Sequence, residues 1–235
     1  MQNIPLRRRI YVGFIVGCLS FYYRLYHRLQ IEGSEHIPDH GPLFITINHI
    51  SYLEPFALGV GLIEHGVMPG DHFWTVSKKE LFAWPPLARF LSSINMFPID
   101  RERTDMGAMR RILNVLREGK MIALAPEGTR SPSGRLQAFQ PVIAKIAISR
   151  RIPILPVGAM GTEKALPVGA KFPYPVPITI RFGPVYELSE YYDVTLTDEL
   201  ADRASWEMRS HIAELLPEWM RELPPASGRV GARKA

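Results

Sequence analysis

With one cysteine among 235 residues, Cys18, the chain has no internal disulfide and no cysteine-based zinc site, and a reducing compartment is compatible with it. No metal and no cofactor are expected. There is also no long hydrophobic run. The uncharged, apolar stretch near the N-terminus covers residues 10–23 (IYVGFIVGCLSFYY). As a helix it spans only about 21 Å, against about 30 Å for a hydrocarbon core. The G-x-S-x-G signature of serine acyl-enzymes is missing, and so is the G-K-[ST] ending of a Walker-type phosphate loop. Acidic residues are absent from positions 1–30, where Arg7, Arg8, Arg9, Arg24 and Arg28 stand.

This asymmetry, in a chain of formal charge +5, points to an anionic surface. A nucleic-acid binder would interleave its basic residues with exposed aromatics. Here the arginines surround an apolar run instead, so no nucleic acid is expected. Three readings remain for residues 1–28: a signal peptide, a buried helix of the domain, or a membrane anchor lying in the interface. The last places arginines at the phosphates and Tyr22 and Tyr23 near the headgroups. The expected organisation is therefore an N-terminal membrane-associated segment (1–28), one domain (29–223) and a disordered Pro/Gly/Ala-rich basic tail (224–235).

Within the domain, short apolar runs bounded by Gly, Pro, Asn or Asp alternate with helix-like segments. Strands are expected at 29–32, 43–48, 73–77, 94–99, 121–125, 154–159 and 178–182. Helices are expected at 104–118, capped by Thr104, and at 141–150 and 197–216, while Pro85-Pro86 splits 80–93 into two pieces. The alternation predicts an α/β fold, a mostly parallel central sheet covered by helices.

The spacing H-x-x-x-x-E occurs twice, at His27/Glu32 and His49/Glu54. Context separates them. His27 lies in the basic amphipathic stretch with no turn signal and reads as interfacial. His49 follows the apolar run 43–48 and precedes Pro55. Residues five apart face opposite ways on a strand and are badly offset on a helix, so this pair meets only across a turn. Pro55 suits the first position of a helix, giving strand, tight loop, helix start. There a carboxylate can hold one imidazole nitrogen and leave the other as a general base. The competing account is a loop histidine beside a helix-start acid favoured by the macrodipole.

Two more strand ends carry polar chemistry. After 121–125 comes Pro126-Glu127-Gly128-Thr129-Arg130-Ser131, with a flexible glycine, two hydroxyls and a guanidinium suited to phosphate, or else a solvated turn. After 94–99 come Asp100 and Arg101, which by themselves are equally surface decoration.

Together these segments resemble the glycerolipid acyltransferases, whose small bacterial members act on lysophosphatidate. The blocks NHISYLEP (48–55), FPIDR (97–101), PEGTRS (126–131) and IPILPV (152–157) stand in the family's order, with SKKEL (77–81) between the first two. The likeness runs over about residues 31–182. It implies acyl transfer from acyl-CoA or acyl-carrier protein to a lysophospholipid on a membrane, at the cytoplasmic face. His49 would deprotonate the acceptor hydroxyl and Glu54 would orient His49. Arg101 and Arg130, with Glu127, Gly128 and Thr129, would hold the acceptor's phosphate and glycerol. Residues 152–157 would line the acyl side or form a buried strand. Lys78 and Lys79 would meet donor phosphates or remain a solvated pair. The chain departs from the family at Glu54, where aspartate is usual, at Ala125, where an aromatic is common, and at Val142, where glycine is common. These departures leave other acceptors open, such as another lysophospholipid or glycerol 3-phosphate. A hydrolase, or a lipid-binding module without catalysis, would keep the same framework.

Overall fold

A computed structural model describes residues 6–69, 71–100 and 105–221. Arg101, Thr104 and the tail 224–235 lie outside these residues. The strands are β1 (Gln30–Glu32), β2 (Leu43–Ile47), β3 (Phe73–Lys78), β4 (Met96–Ile99), β5 (Met121–Leu124), β6 (Ile154–Met160) and β7 (Thr179–Phe182). Each overlaps one of the expected runs. The helices are α1 (Leu6–Tyr26), α2 (Glu54–Glu64), α3 (Pro85–Ser93), α4 (Met106–Arg117), α5 (Pro141–Arg150), the single turn α6 (Thr162–Ala165), α7 (Asp198–Leu215) and the single turn α8 (Glu218–Arg221).

The strands form one sheet in the order β1-β7-β6-β2-β5-β3-β4, parallel except where β7 runs antiparallel to β6. Strand periodicity splits the core into two layers. Phe44, Ile122, Leu124 and Ile154 face one side, where α4, α5 and α7 pack through Ile112, Ile143 and Met208. Ile45, Ile47, Ala123, Leu155 and Val157 face the other, where α2 packs through Ala57 and Leu58. β2, β5 and β6 are buried on both faces, which is why they read as unbroken apolar runs.

This topology places the site. Neighbouring strands β2 and β5 run parallel, but β2 leads into α2 on one face and β5 leads toward α5 on the other. A crevice opens between such diverging connections, at the carboxyl ends of the strands.

Three sequence expectations change in detail. The cap of α4 is Asp105, whose side chain accepts the Ala108 N–H at 2.8 Å, and not Thr104. Tyr23 is 1% exposed and donates its hydroxyl to the Leu53 carbonyl at 2.9 Å, so it docks α1 on the domain and is turned away from any headgroup. His27 is fully buried rather than interfacial. Its Nδ1 faces the Val176 carbonyl at 3.1 Å, which only accepts, so Nδ1 carries the proton and Nε2 accepts from the Tyr22 hydroxyl at 3.0 Å. Burial keeps the ring's pKa below its ordinary value. On its outer side α1 exposes Ile10, Phe14, Phe21 and Leu25, while Arg24 pairs with Glu64 of α2. Among the described residues, no helix is long and apolar enough to cross a membrane.

Candidate active site

The chain leaves β2 through Asn48, whose amide exchanges two hydrogen bonds with the backbone of Ala159 in β6, at 3.0 and 2.7 Å. That lock fixes where the strand ends and the loop begins. His49 follows, and the loop turns back so that Glu54, the first residue of α2, reaches it. Glu54 is fully buried. Its Oε1 accepts from His49 Nδ1 and from the Ile50 N–H (3.2 Å), and its Oε2 from the Ser51 N–H (2.7 Å). The helix begins one residue earlier than a Pro55 start implies, and its first carboxylate bends back over the loop. The extra methylene of glutamate supplies the reach that this bend needs. A carboxylate only accepts, so His49 Nδ1 bears a proton, and in the neutral ring the lone pair is on Nε2. Nε2 takes no hydrogen bond from a described residue.

The loop after β5 grips the backbone of the same histidine. Glu127 Oε1 accepts the His49 N–H at 2.8 Å, and the Ser131 N–H donates to the His49 carbonyl at 2.7 Å. The other Glu127 oxygen accepts the Gln137 N–H (3.2 Å) and side-chain amide (3.0 Å). Glu127 is buried, and burial pushes its carboxyl up to about 7 against the pull of these three donors. The expectation that Glu127 faces the acceptor is revised: its carboxylate points inward and both oxygens are occupied. Gly128 takes φ +75°, and a β-carbon there would meet the Gln140 side chain at 3.3 Å, so glycine lets the loop turn. Gly128 also does not line the cavity.

A cavity of about 350 Å³ opens beside His49. Its lining is apolar at Phe56, Leu58, Leu87, Leu91 and Met96 and polar at His49, Tyr52, Lys78, Thr129 and Arg130. Arg130 stacks on Tyr52 with its guanidinium carbon 3.7 Å from the ring centre, and the Lys78 ammonium lies 5.9 Å from that ring. Lys79 turns away to pair with Asp100 at 2.6 Å. A smaller cavity of about 40 Å³ beneath α1 shares Pro55, Phe56, Thr75 and Met96 with the first. The block 152–157 supplies a buried strand and does not line either cavity. His36 and His40 stand four residues apart, a spacing that suits a metal on a helix, but Pro38 lies between them and His36 Nδ1 is taken by the Phe182 carbonyl at 3.1 Å. Among the described residues no group of three or more His, Cys, Asp or Glu could hold a metal.

The structure thus brings His49, Glu54, Thr129 and Arg130 to one cavity and sets Glu127 and Gly128 behind it. Sequence reasoning missed Asn48, Tyr52 and Gln137, and it read Ser131 for its hydroxyl where the structure uses its backbone N–H. Asn48 left one signal, a polar side chain at the end of an apolar strand. Gln137 left none, since its value depends on folding back over ten residues to Glu127.

Comparison with known proteins identifies the family of the chain. The family model described as Acyltransferase matches residues 28–160, more than half of the chain. A chloroplastic 1-acyl-sn-glycerol-3-phosphate acyltransferase, LPAT1 of Arabidopsis thaliana, is 27% identical over 172 residues, which are 71% of this chain and 46% of that protein. A 1-acyl-sn-glycerol-3-phosphate acyltransferase of Borreliella burgdorferi is 28% identical over 181 residues, covering 75% and 70%. The chain spans about half the length of several curated relatives it matches. The crystal structure of the 1-acyl-sn-glycerophosphate acyltransferase PlsC from Thermotoga maritima has the same fold, with a TM-score of 0.64 at 23% identity over 92% of this chain and 83% of that one. From the match over residues 28–160, with the His49 and Glu127 segments inside it, the chain belongs to the Acyltransferase family.

Proposed function

We propose that this protein transfers an acyl group from an acyl thioester, acyl-CoA or acyl-carrier protein, to the free hydroxyl of 1-acyl-glycerol-3-phosphate, giving phosphatidate. The observation that carries the reading is the His49–Glu54 pair, which leaves Nε2 of the neutral ring as the base at a cavity lined by both apolar and cationic side chains. His49 Nε2 takes the hydroxyl proton as the acceptor oxygen bonds to the thioester carbon. The carbon–sulfur bond then breaks, and the departing thiolate takes the proton back from His49. Glu54 holds the tautomer and balances the transient imidazolium. Arg130 and Lys78 meet the acceptor phosphate, with Arg101, outside the described residues, as the further candidate from the sequence, and the apolar lining takes an acyl chain. The relatives' names supply the acceptor; another lysophospholipid or glycerol 3-phosphate would use the same machinery.

The reaction belongs on a membrane surface, at its cytoplasmic side. Ile10, Phe14, Phe21 and Leu25 form the outer side of α1, and the loop 167–175 beside it exposes Val168, Phe172 and Tyr174. Tyr26 and Arg28 tie that loop to the end of α1 through the Pro173 and Pro175 carbonyls.

The test is turnover in mixed micelles with a labelled acyl thioester and a panel of lysophospholipids. Thiol release that requires the acceptor and yields the diacyl product is expected. Release without acceptor makes the protein a hydrolase and overturns the proposal. Separately, wild type is expected to pellet with anionic vesicles and the Phe14→Glu/Phe21→Glu variant to remain in solution; equal pelleting moves the membrane contact elsewhere.

A further inference from the structure

The loop that carries Thr129 and Arg130 does not hold its shape alone. Its inner side rests on Arg209 of α7, which is only 8% exposed. The guanidinium donates to three backbone carbonyls: Nε to Gln137 (3.2 Å), Nη2 to Leu136 (3.0 Å) and Nη2 to Arg221 (2.6 Å). A cation this deeply placed is unfavourable unless its donors find acceptors and its charge finds a counter-charge. The first condition is met by the carbonyls. The second is met by Glu127, whose carboxylate favours the charged form of Arg209 while burial opposes it.

The connection continues to the histidine without a gap. Gln137, held at its carbonyl by Arg209, presents its own N–H and side-chain amide to Glu127 Oε2. Glu127 Oε1 takes the His49 N–H. The side-chain amide of Gln137 also donates to the Thr129 carbonyl at 3.1 Å, which fixes the loop just before Arg130. α7 lies outside residues 28–160, the part of the chain that matches the family model.

We propose that Arg209, Gln137 and Glu127 form a positioning relay for His49, which makes the C-terminal helix a working part of the active site. This rests on His49 being the base of the acyl transfer. Two physical requirements support it. The His49 ring is tethered through Nδ1 to Glu54, which belongs to α2 on one face of the sheet. Its backbone must be held from elsewhere if Nε2 is to keep one position, and the loop after β5, braced from the other face by α7, does this. The second requirement is charge. Glu127 and Glu54 are two buried carboxylates in one neighbourhood, and the Glu54 charge disfavours the charge on Glu127. Arg209 offsets that repulsion while touching neither the cavity nor His49.

The test uses the full-length protein in micelles, at a temperature well below the unfolding of every variant, with kcat and acceptor KM measured across pH. Arg209→Met is expected to lower kcat about 10- to 100-fold, the cost of a base misplaced by about 1 Å, with KM within about twofold of wild type. The acid limb of kcat against pH moves upward, because a nearby positive charge that favours the ionised form of Glu127 is gone. Arg209→Lys retains the charge without the fork, so it restores the acid limb and part of kcat. Gln137→Ala alters a half-buried surface side chain and lowers kcat by about 3- to 10-fold. Combined with Arg209→Met it gives less than the product of the two losses, since both break one chain of contacts. A purely structural Arg209 lowers the melting temperature but leaves kcat per folded molecule and its pH profile unchanged; that result overturns the relay. If Arg209→Met does not fold, the Gln137→Ala variant decides: wild-type kcat there overturns the relay as well. Failure of the underlying reading looks different, because His49→Ala would then retain turnover.

Discussion

The base and the cation of the cavity are held to opposite standards of rigidity. At His49 the ring, the backbone N–H and the backbone carbonyl each have a partner, and Asn48 beside it is locked to β6 on both sides of its amide. Arg130, by contrast, is held over Tyr52 and makes no hydrogen bond to a described residue. The difference follows from what each group must do. A base has to meet one hydroxyl at hydrogen-bond distance, and its effect falls steeply with misplacement. A cation attracts a phosphate over several ångströms, so it gains from being free to follow the ligand. Stacking suits that role: the ring fixes the plane of the guanidinium and leaves its N–H groups available.

Substitutions can break this contrast, beginning with the largest effect. His49→Ala is expected to lower kcat by about 10³-fold or more, measured by thiol release in micelles. Turnover near wild type would remove His49 from the mechanism. Glu54→Gln should cost about 10²-fold in kcat, because an amide cannot accept from His49, Ile50 and Ser51 as the carboxylate does. Glu54→Asp restores the charge at shorter reach and should fall between the two. Tyr52→Leu keeps the volume of the loop but removes the stacking face. It should raise the acceptor KM about 5- to 10-fold with kcat nearly unchanged. A fall in kcat instead would mean that the base and the cation are not separable.

The smallest effect concerns stability. Burial raises the Glu127 carboxyl from 4.5 to about 7 in the folded chain. A group whose folded pKa lies above its unfolded value stabilises fully below the unfolded pKa, and the stability is lost as pH rises through the folded value. The melting temperature of wild type should therefore decline by a few degrees between pH 5 and 7.5, with a flatter curve for Glu127→Gln. Equal slopes would assign the decline to another group.

Much of this was legible in the sequence, for a local reason. The central strands are short apolar runs closed by turn-forming residues, and the strand, loop and helix order around His49 follows from Pro55 and the spacing to Glu54. What was hidden depends on partners distant in sequence. His27 is buried because its ring meets Val176, 149 residues on, and no local pattern separates that environment from an interfacial one. The inward turn of Glu127 depends on Gln137, and the antiparallel direction of β7 depends on its insertion between β6 and β1. Asp105 and Thr104 are adjacent and equally able to cap a helix, so sequence alone does not choose between them.

The docking of α1 has a practical consequence. Its Tyr23 hydroxyl holds the Leu53 carbonyl at the head of α2, and its Arg24 holds Glu64 at the tail. α1 therefore acts as a bracket on a rod about 16 Å long, and the near end of that rod carries Glu54. Cutting the chain after residue 28 to obtain a more soluble protein would also remove the bracket, so handling properties and turnover would change together. Replacing outward-facing side chains such as Phe14 and Phe21 separates the two, because it leaves both ends of the rod gripped.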